Sequence, residues 1–236
     1  MKTGTLYGVS LGPGDPGLIT VKGLDLLRQA DRVYYAGSLS AQGNETSYAR
    51  RMLDAHGLAA GKLCGVFVPM SEDRAVAEAA YREAFSALQA DCRAGLRVAF
   101  ACEGDISFYS TFSRLLIQAQ AVGLPVEIVA GVPAFLLGAA VQQQPLATGP
   151  ERIAVLPRLR DAAELAQCLE TFDVVVLIKI RGVATQVADL AEHHGWALLL
   201  CEHLGAPEQF VSTRPADLRT RNLPYLSLLI VRKTKP

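Results

Sequence analysis

Apolar runs alternate with amphipathic stretches from Thr5 to Gly131, and this alternation constrains the fold more than any other feature. The runs are "TLYGVSLG", "DRVYYAG", "GKLCGVFVP", "LRVAFACEGD" and "PVEIVAG". Each is short, rich in residues that favour strands, and apolar almost throughout rather than at every second position. That pattern belongs to parallel strands buried on both faces. Between them lie stretches with helical spacing, 18–30, 45–57, 71–95 and 107–123. In 18–30, Leu18, Val21, Leu24 and Leu27 are placed on one face. In 71–95, Ser71 is placed as the N-cap, with Glu72 and Asp73 at the positive helix start. Strand–helix alternation predicts an α/β fold with a parallel sheet covered on both sides.

The pattern restarts after Gly131. A helix is expected over 132–144, then a turn-rich link, then about five more strands in "RIAVLP", "DVVVLIKI", "WALLLCEHLG", "QFVSTRP" and "YLSLLIVRK". Helices 161–172 and 182–195 separate the first three, with Gly195 closing the second behind "HH". The last strands follow too closely for crossovers, so part of this sheet is expected to be antiparallel. Two α/β domains follow, 1–132 with a parallel sheet and 133–236 with a mixed one.

Composition excludes several classes of function. Lys+Arg and Asp+Glu are both 23, so no global charge draws the chain to nucleic acid or to an anionic membrane. No apolar run approaches the ~20 residues of a membrane span, and the N-terminus has no apolar secretory core, so a cytoplasmic protein is expected. The five cysteines form no CxxC or CxxH pair and read as small buried hydrophobes. The four histidines, His56, His193, His194 and His203, lack metal-ligand spacing apart from the adjacent pair, so no protein-bound metal is expected.

In open α/β sheets ligands bind beyond the carboxyl ends of strands. Three glycine turns fall there: "GPGDPG" at 12–17, "CEGDISFYST" at 102–111 and "VAGVPAF" at 129–135. The first matches the GxGxxG spacing of dinucleotide loops. However, Pro13 and Pro16 lack the N–H donors a pyrophosphate needs, and Asp15 adds negative charge. A loop for a neutral or cationic ligand fits better. A nicotinamide-dependent reductase and a non-catalytic nucleotide- or tetrapyrrole-binding module stay open at this level.

The stretch "GVSLGPGDPGLITVKGLDLLRQADRVYY" resembles the first motif of the tetrapyrrole methylases. "EGDISFYSTF" resembles their second, "AGVPAFLLGAAVQQQPLATG" their third, and "PYLSLLIVRK" their last strand. The motifs occur in order over nearly the whole chain. The resemblance implies two α/β domains with the active-site cleft between them, S-adenosyl-L-methionine as cofactor with S-adenosyl-L-homocysteine as product, a tetrapyrrole substrate and a homodimer. Within the family, "EGDISFYSTF" and "VLIK" are most similar to the branch of cobalamin biosynthesis that methylates C-20 of a metal-free or cobalt-bound corrin precursor. Other corrinoid or uroporphyrinogen III methylases are the alternative. Any cobalt is expected inside the substrate.

By the same resemblance, cofactor contacts fall on Pro13, Glu103, Gly104, Asp105, Phe108, Pro133, Ala134, Lys179, Leu204 and Ser227. Ser110 and Thr111 are expected to shape the wall beside the methyl. Two residues depart from the family pattern: Ile106 stands where proline is usual, and Pro133 where a serine or threonine is. Methylation at a carbon requires a proton to leave. The candidate catalytic acceptors are Asp105, Tyr109, His203 and also Glu103, and Asp105 has the competing role of capping a helix from 107. Arg152, Arg158, Arg160 and Arg181 are candidates for the substrate carboxylates.

Overall fold

In a computed structural model, residues 4–40, 42–69, 74–180 and 182–234 are described, apart from the side chain of Arg74. The expected cap at Ser71, Glu72 and Asp73 and the candidate Arg181 lie outside them. The chain forms two compact units, Met1–Pro133 and Ala134–Pro236.

In the first unit the strands are β1 (Leu6–Ser10), β2 (Arg32–Leu39), β3 (Glu45–Thr46), β4 (Leu63–Pro69), β5 (Val98–Cys102) and β6 (Val126–Val129). The helices are α1 (Val21–Gln29), α2 (Tyr48–Ala55), α3 (Arg74–Arg93) and α4 (Phe112–Ala121). The parallel order is β4-β2-β5-β1-β6, and β3 pairs antiparallel with the end of β2. Every residue of β5 is buried, as its unbroken apolar run requires. One face packs Leu6, Phe100, Phe112 and Leu115, and the other packs Val9, Leu27, Val33 and Leu53. Helices therefore cover both sides.

Three local expectations change. Val21 is 79% exposed, because a spacing of three drifts off a 3.6-residue turn. Gly23, Leu27 and Ala30 face the core instead. The stretch at 45–57 starts as strand β3, and its helix begins only after the Ser47 hydroxyl accepts from the Arg50 N–H. The largest change is at 107–111, which is turn: α4 starts at Phe112, and Asp105 caps no helix.

The second unit holds α5 (Ala134–Val141), β7 (Ile153–Leu156), α6 (Ala162–Thr171), β8 (Val174–Ile178), α7 (Ala184–His194), β9 (Ala197–Glu202), β10 (Phe210–Ser212), α8 (Pro215–Thr220) and β11 (Ser227–Arg232). The sheet order is β10-β9-β11-β8-β7. Only β7 and β8 pair in parallel, while β11 runs antiparallel between β8 and β9, giving the expected mixed sheet. The carboxyl ends of β7, β8 and β9 therefore share an end with the start of β11. Gly195 closes α7 in the left-handed conformation at φ 65°. The short helix α8 opens with a proline in its first turn, Pro215, which is also the last residue of the expected strand "QFVSTRP"; no element was expected over the rest of it.

Cys92, Cys102 and Cys201 are buried, Cys64 and Cys168 half-buried, and all are free thiols. Among the described residues no helix is long and apolar enough to cross a membrane, and no group of three or more His, Cys, Asp or Glu is placed to hold a metal ion.

Candidate active site

The three glycine turns of the first unit meet. Gly12 and Gly104 pair directly: Gly104 N–H donates to Gly12 O at 2.6 Å, and Gly12 N–H to Gly104 O at 3.2 Å. Both glycines have positive φ, 83° and 70°, which residues with a side chain rarely adopt. Space is open where a Gly104 side chain would stand, whereas one on Gly12 would meet Leu18 O at 3.0 Å.

Two polar side chains, both buried, lock the turns together. Ser10 Oγ donates to Val129 O at 2.7 Å and accepts from Ile106 N–H at 2.9 Å, joining the ends of β1, β5 and β6. Asp105 Oδ2 accepts from Gly131 N–H at 2.6 Å; Oδ1 accepts from Ser107 N–H at 2.8 Å and from the Ser107 hydroxyl. Burial alone would raise the Asp105 carboxyl, but the bonds from Gly131 and Ser107 outweigh it and hold the group below its ordinary value. Gly131 is tightly enclosed, since a Cβ there would lie 2.4 Å from Ser10 Cβ.

Glu103 is different. The residue keeps some exposed surface, yet its Oε2 is buried and has no hydrogen-bond partner among the described residues. Burial pushes this carboxyl up. The neighbouring Cys102 thiol is pushed up to about 12 by burial and then by Glu103. Ser110 Oγ donates to Cys102 Sγ at 3.3 Å, and Thr111 Oγ1 lies 3.8 Å from it. The two hydroxyls expected to shape a wall beside the methyl are therefore engaged with a core sulfur. Phe108 is half-buried with its ring against Tyr109, which is 56% exposed at φ 50°. Phe112, by contrast, is core, with its ring centroid 5.8 Å from that of Phe100.

In the first turn Pro13 is half-buried, and the Asp15 carboxylate accepts from Gly17 N–H to cap a short 3₁₀ turn. The aspartate therefore closes its own loop. Pro133 is half-buried at the end of this unit.

Within the second unit, further candidates gather at the shared strand end. Lys179 follows β8 at φ 60°, with Nζ 5.8 Å from the Tyr225 ring centre. His203 follows β9 at φ 47°, and its N–H donates to Leu226 O at 3.0 Å. Two left-handed non-glycine residues at the ends of the two strands that flank β11 are strained positions of the kind that collect at functional sites. Leu204 is buried beside Ala134, and the Ser227 hydroxyl donates to Pro224 O at 2.7 Å. Exposed Arg158 and Arg160 follow β7 at this end, Arg160 paired with Glu164. Arg152 lies at the opposite end, bonded to Thr171 O and over the Phe172 ring. It is a local anchor there.

Ser10 and Gly131 were not picked out from the sequence. The available signals were a lone hydroxyl in an apolar strand before a glycine turn and a glycine ending β6.

Residues 5–218 match the tetrapyrrole (corrin/porphyrin) methylases. The chain belongs to this family. As a tetrapyrrole methylase it is 34% identical over 235 residues to the cobalt-precorrin-2 C(20)-methyltransferase of Salmonella typhimurium, covering 98% of this chain and 97% of that one. Its fold is similar to that of a cobalt precorrin-4 methyltransferase of cobalamin biosynthesis, with TM-score 0.73, 22% identity, and 97% and 94% of the two chains covered. It is also similar to the uroporphyrin-III C-methyltransferase of Thermus thermophilus complexed with S-adenosylhomocysteine, with TM-score 0.67, 21% identity, and 97% of each chain covered. The tetrapyrrole methylase motifs "GPGDPG" and "EGD" are the two turns joined by the Gly12–Gly104 pair.

Proposed function

We propose that this tetrapyrrole methylase transfers a methyl group from S-adenosylmethionine to C-20 of precorrin-2 or its cobalt-bound form in cobalamin biosynthesis. The observation that carries the cofactor assignment is the Gly12–Gly104 pair, which joins two strand-end turns into one surface. Pro13 and Pro16 deprive that surface of donors for phosphate, and Gly104 leaves room for a ligand to approach the backbone. A neutral or cationic ligand such as a sulfonium fits these residues. The 34% identity with a C-20 enzyme over 98% of this chain, together with the wording of "EGDISFYSTF", supports the substrate.

The cofactor supplies an electrophilic methyl, and the chain supplies placement, for which orientation alone is worth roughly 7–11 kcal/mol at best. The contacts proposed are Pro13, the backbone of Glu103 and Gly104, Phe108, Pro133, Ala134, Lys179, Leu204 and Ser227. Asp105 acts by fixing the turns, because both its oxygens are engaged. Arg158 and Arg160 are the arginines proposed for the substrate carboxylates. The enzyme is proposed to work in the cytoplasm as a homodimer. Calorimetric titration tests the cofactor: S-adenosylhomocysteine binds at micromolar concentration and NADH does not. Binding of NADH alone would overturn the assignment.

A further inference from the structure

We infer that Arg158, Lys179 and Tyr225 form one anchor for the substrate, the two cations taking carboxylate arms of the tetrapyrrole and the phenol ring taking its flat face, an inference that rests on the methyl-transfer reading above. The cofactor contact proposed at Lys179 then falls to its backbone, and the ammonium is left for the substrate.

The sheet of the second unit brings the three together. β7 and β8 pair in parallel, with Leu156 opposite Leu177. Arg158 and Lys179 each stand two residues further on, so two cations leave neighbouring strands at the same end. β11 lies on the other side of β8, and Tyr225 stands two residues before its start at Ser227. The Lys179 ammonium lies 5.8 Å from the centre of the Tyr225 ring. All three side chains are exposed, Tyr225 by 60%.

Like charges side by side on adjacent strands are destabilising unless an anion joins them. Among the described residues, no carboxylate lies within ion-pair distance of Arg158 or Lys179. The acids of this unit are spent on other arginines: Glu164 on Arg160, Asp189 and Glu192 on Arg219, and Glu202, the last residue of β9, on Arg221. Arg160, already partnered, is therefore a weaker holder of a substrate acid than Arg158. Backbone strain points the same way. Eleven described positions of positive φ carry glycine, whereas Lys179 keeps a long cationic chain at φ 60°. A side chain costs stability in that conformation, and its retention is explained when the ammonium itself is needed. The set matches a flat ring with acidic arms: guanidinium and ammonium for the acids, and an exposed aromatic face for the ring.

The test compares Lys179→Met, Arg158→Gln and Lys179→Gly with wild type in the full chain, using S-adenosylmethionine and precorrin-2 at low and high salt. S-adenosylhomocysteine affinity and Tm are measured in parallel. Lys179→Met and Arg158→Gln are each expected to raise the KM for precorrin-2 roughly tenfold, as the loss of one charge-assisted contact implies, with S-adenosylhomocysteine affinity kept within about threefold. The wild-type KM should rise with salt and that of each variant should rise less, because screening acts on the charge that was removed. Lys179→Gly should show the same rise in KM yet melt no lower than wild type, since glycine accepts the left-handed backbone; a lysine that only supported the fold would not give that combination. KM values within about threefold of wild type in both Lys179→Met and Arg158→Gln would overturn the anchor and leave the methyltransferase reading standing. A roughly tenfold loss of S-adenosylhomocysteine affinity in Lys179→Met would give the ammonium to the cofactor and also overturn it. Absence of methyl transfer by wild type to any reduced tetrapyrrole would remove the reading, and the anchor with it.

Discussion

Asp105→Asn tests whether the three strand-end turns are held together as described. Aspartate presents two acceptor oxygens, and the structure uses both, for Gly131 N–H at 2.6 Å and for Ser107 N–H at 2.8 Å. Asparagine has one acceptor. Whichever way its amide sits, a backbone N–H faces an NH₂ group and loses its partner. A hydrogen bond to a charged group is worth about 1.5–3 kcal/mol, and an orphaned buried donor costs about 1–3 kcal/mol. The substitution should therefore cost about 3 kcal/mol, lowering Tm by roughly 6–12 °C for a chain of this size. The effect depends on pH with a defined sign. Asp105 is held below its ordinary value, so its contribution is fully present above the unfolded value of about 3.9 and is lost as pH falls through the lower folded value. Calorimetric melting at pH 7 and across the acid range should show a full gap between wild type and variant at neutrality that narrows below about pH 4. A variant melting within a degree of wild type at pH 7 would refute the claim that Asp105 ties the turns.

Gly131→Ala would place a Cβ 2.4 Å from Ser10 Cβ and 3.0 Å from Gly104 O, so a lower urea midpoint is expected, worth about 1–3 kcal/mol. Glu103→Gln should behave oppositely to Asp105→Asn. Burial raises the Glu103 carboxyl, so its protonated form favours folding below the unfolded value of about 4.3 and that benefit is lost as pH rises through the folded value. The glutamine variant should therefore melt higher than wild type at pH 8, with the gain gone below about pH 4. Light scattering at micromolar concentration should give twice the 25.3 kDa of one chain, and a monomer throughout would count against the proposed dimer.

The fold was legible because its strongest determinants are local. Unbroken apolar runs such as "VAFAC" can be satisfied only by strands buried on both faces, and β5 is buried at every residue. Gly195 marked the end of α7 through the one conformation glycine tolerates best. The turn at 107–111 was misread as helix because "SFYSTF" has aromatics at helical spacing. Side-chain hydrogen bonds within the turn compete with the helix there, since Ser107 is held by Asp105 and Ser110 by Cys102. Non-locality hid Ser10 and Gly131, whose partners lie 96 and 26 residues away. Ile106 shows the limit of a motif. Proline is usual there in the family pattern, yet here the position uses an N–H, donated to Ser10 Oγ, that proline lacks. The glutamate of "EGD" could be seen in sequence, but only the buried and unpaired state of its Oε2 separates it from Asp105 two residues on.

The central claim is the site of methylation. Incubation of the enzyme with S-adenosylmethionine carrying a ¹³C methyl and with precorrin-2 or cobalt-precorrin-2, followed by NMR of the product, reads it directly. The account predicts a single labelled methyl on C-20 and no product from uroporphyrinogen III. Label at C-2 and C-7 of uroporphyrinogen III, or at C-11 of a later intermediate with none at C-20, would contradict it.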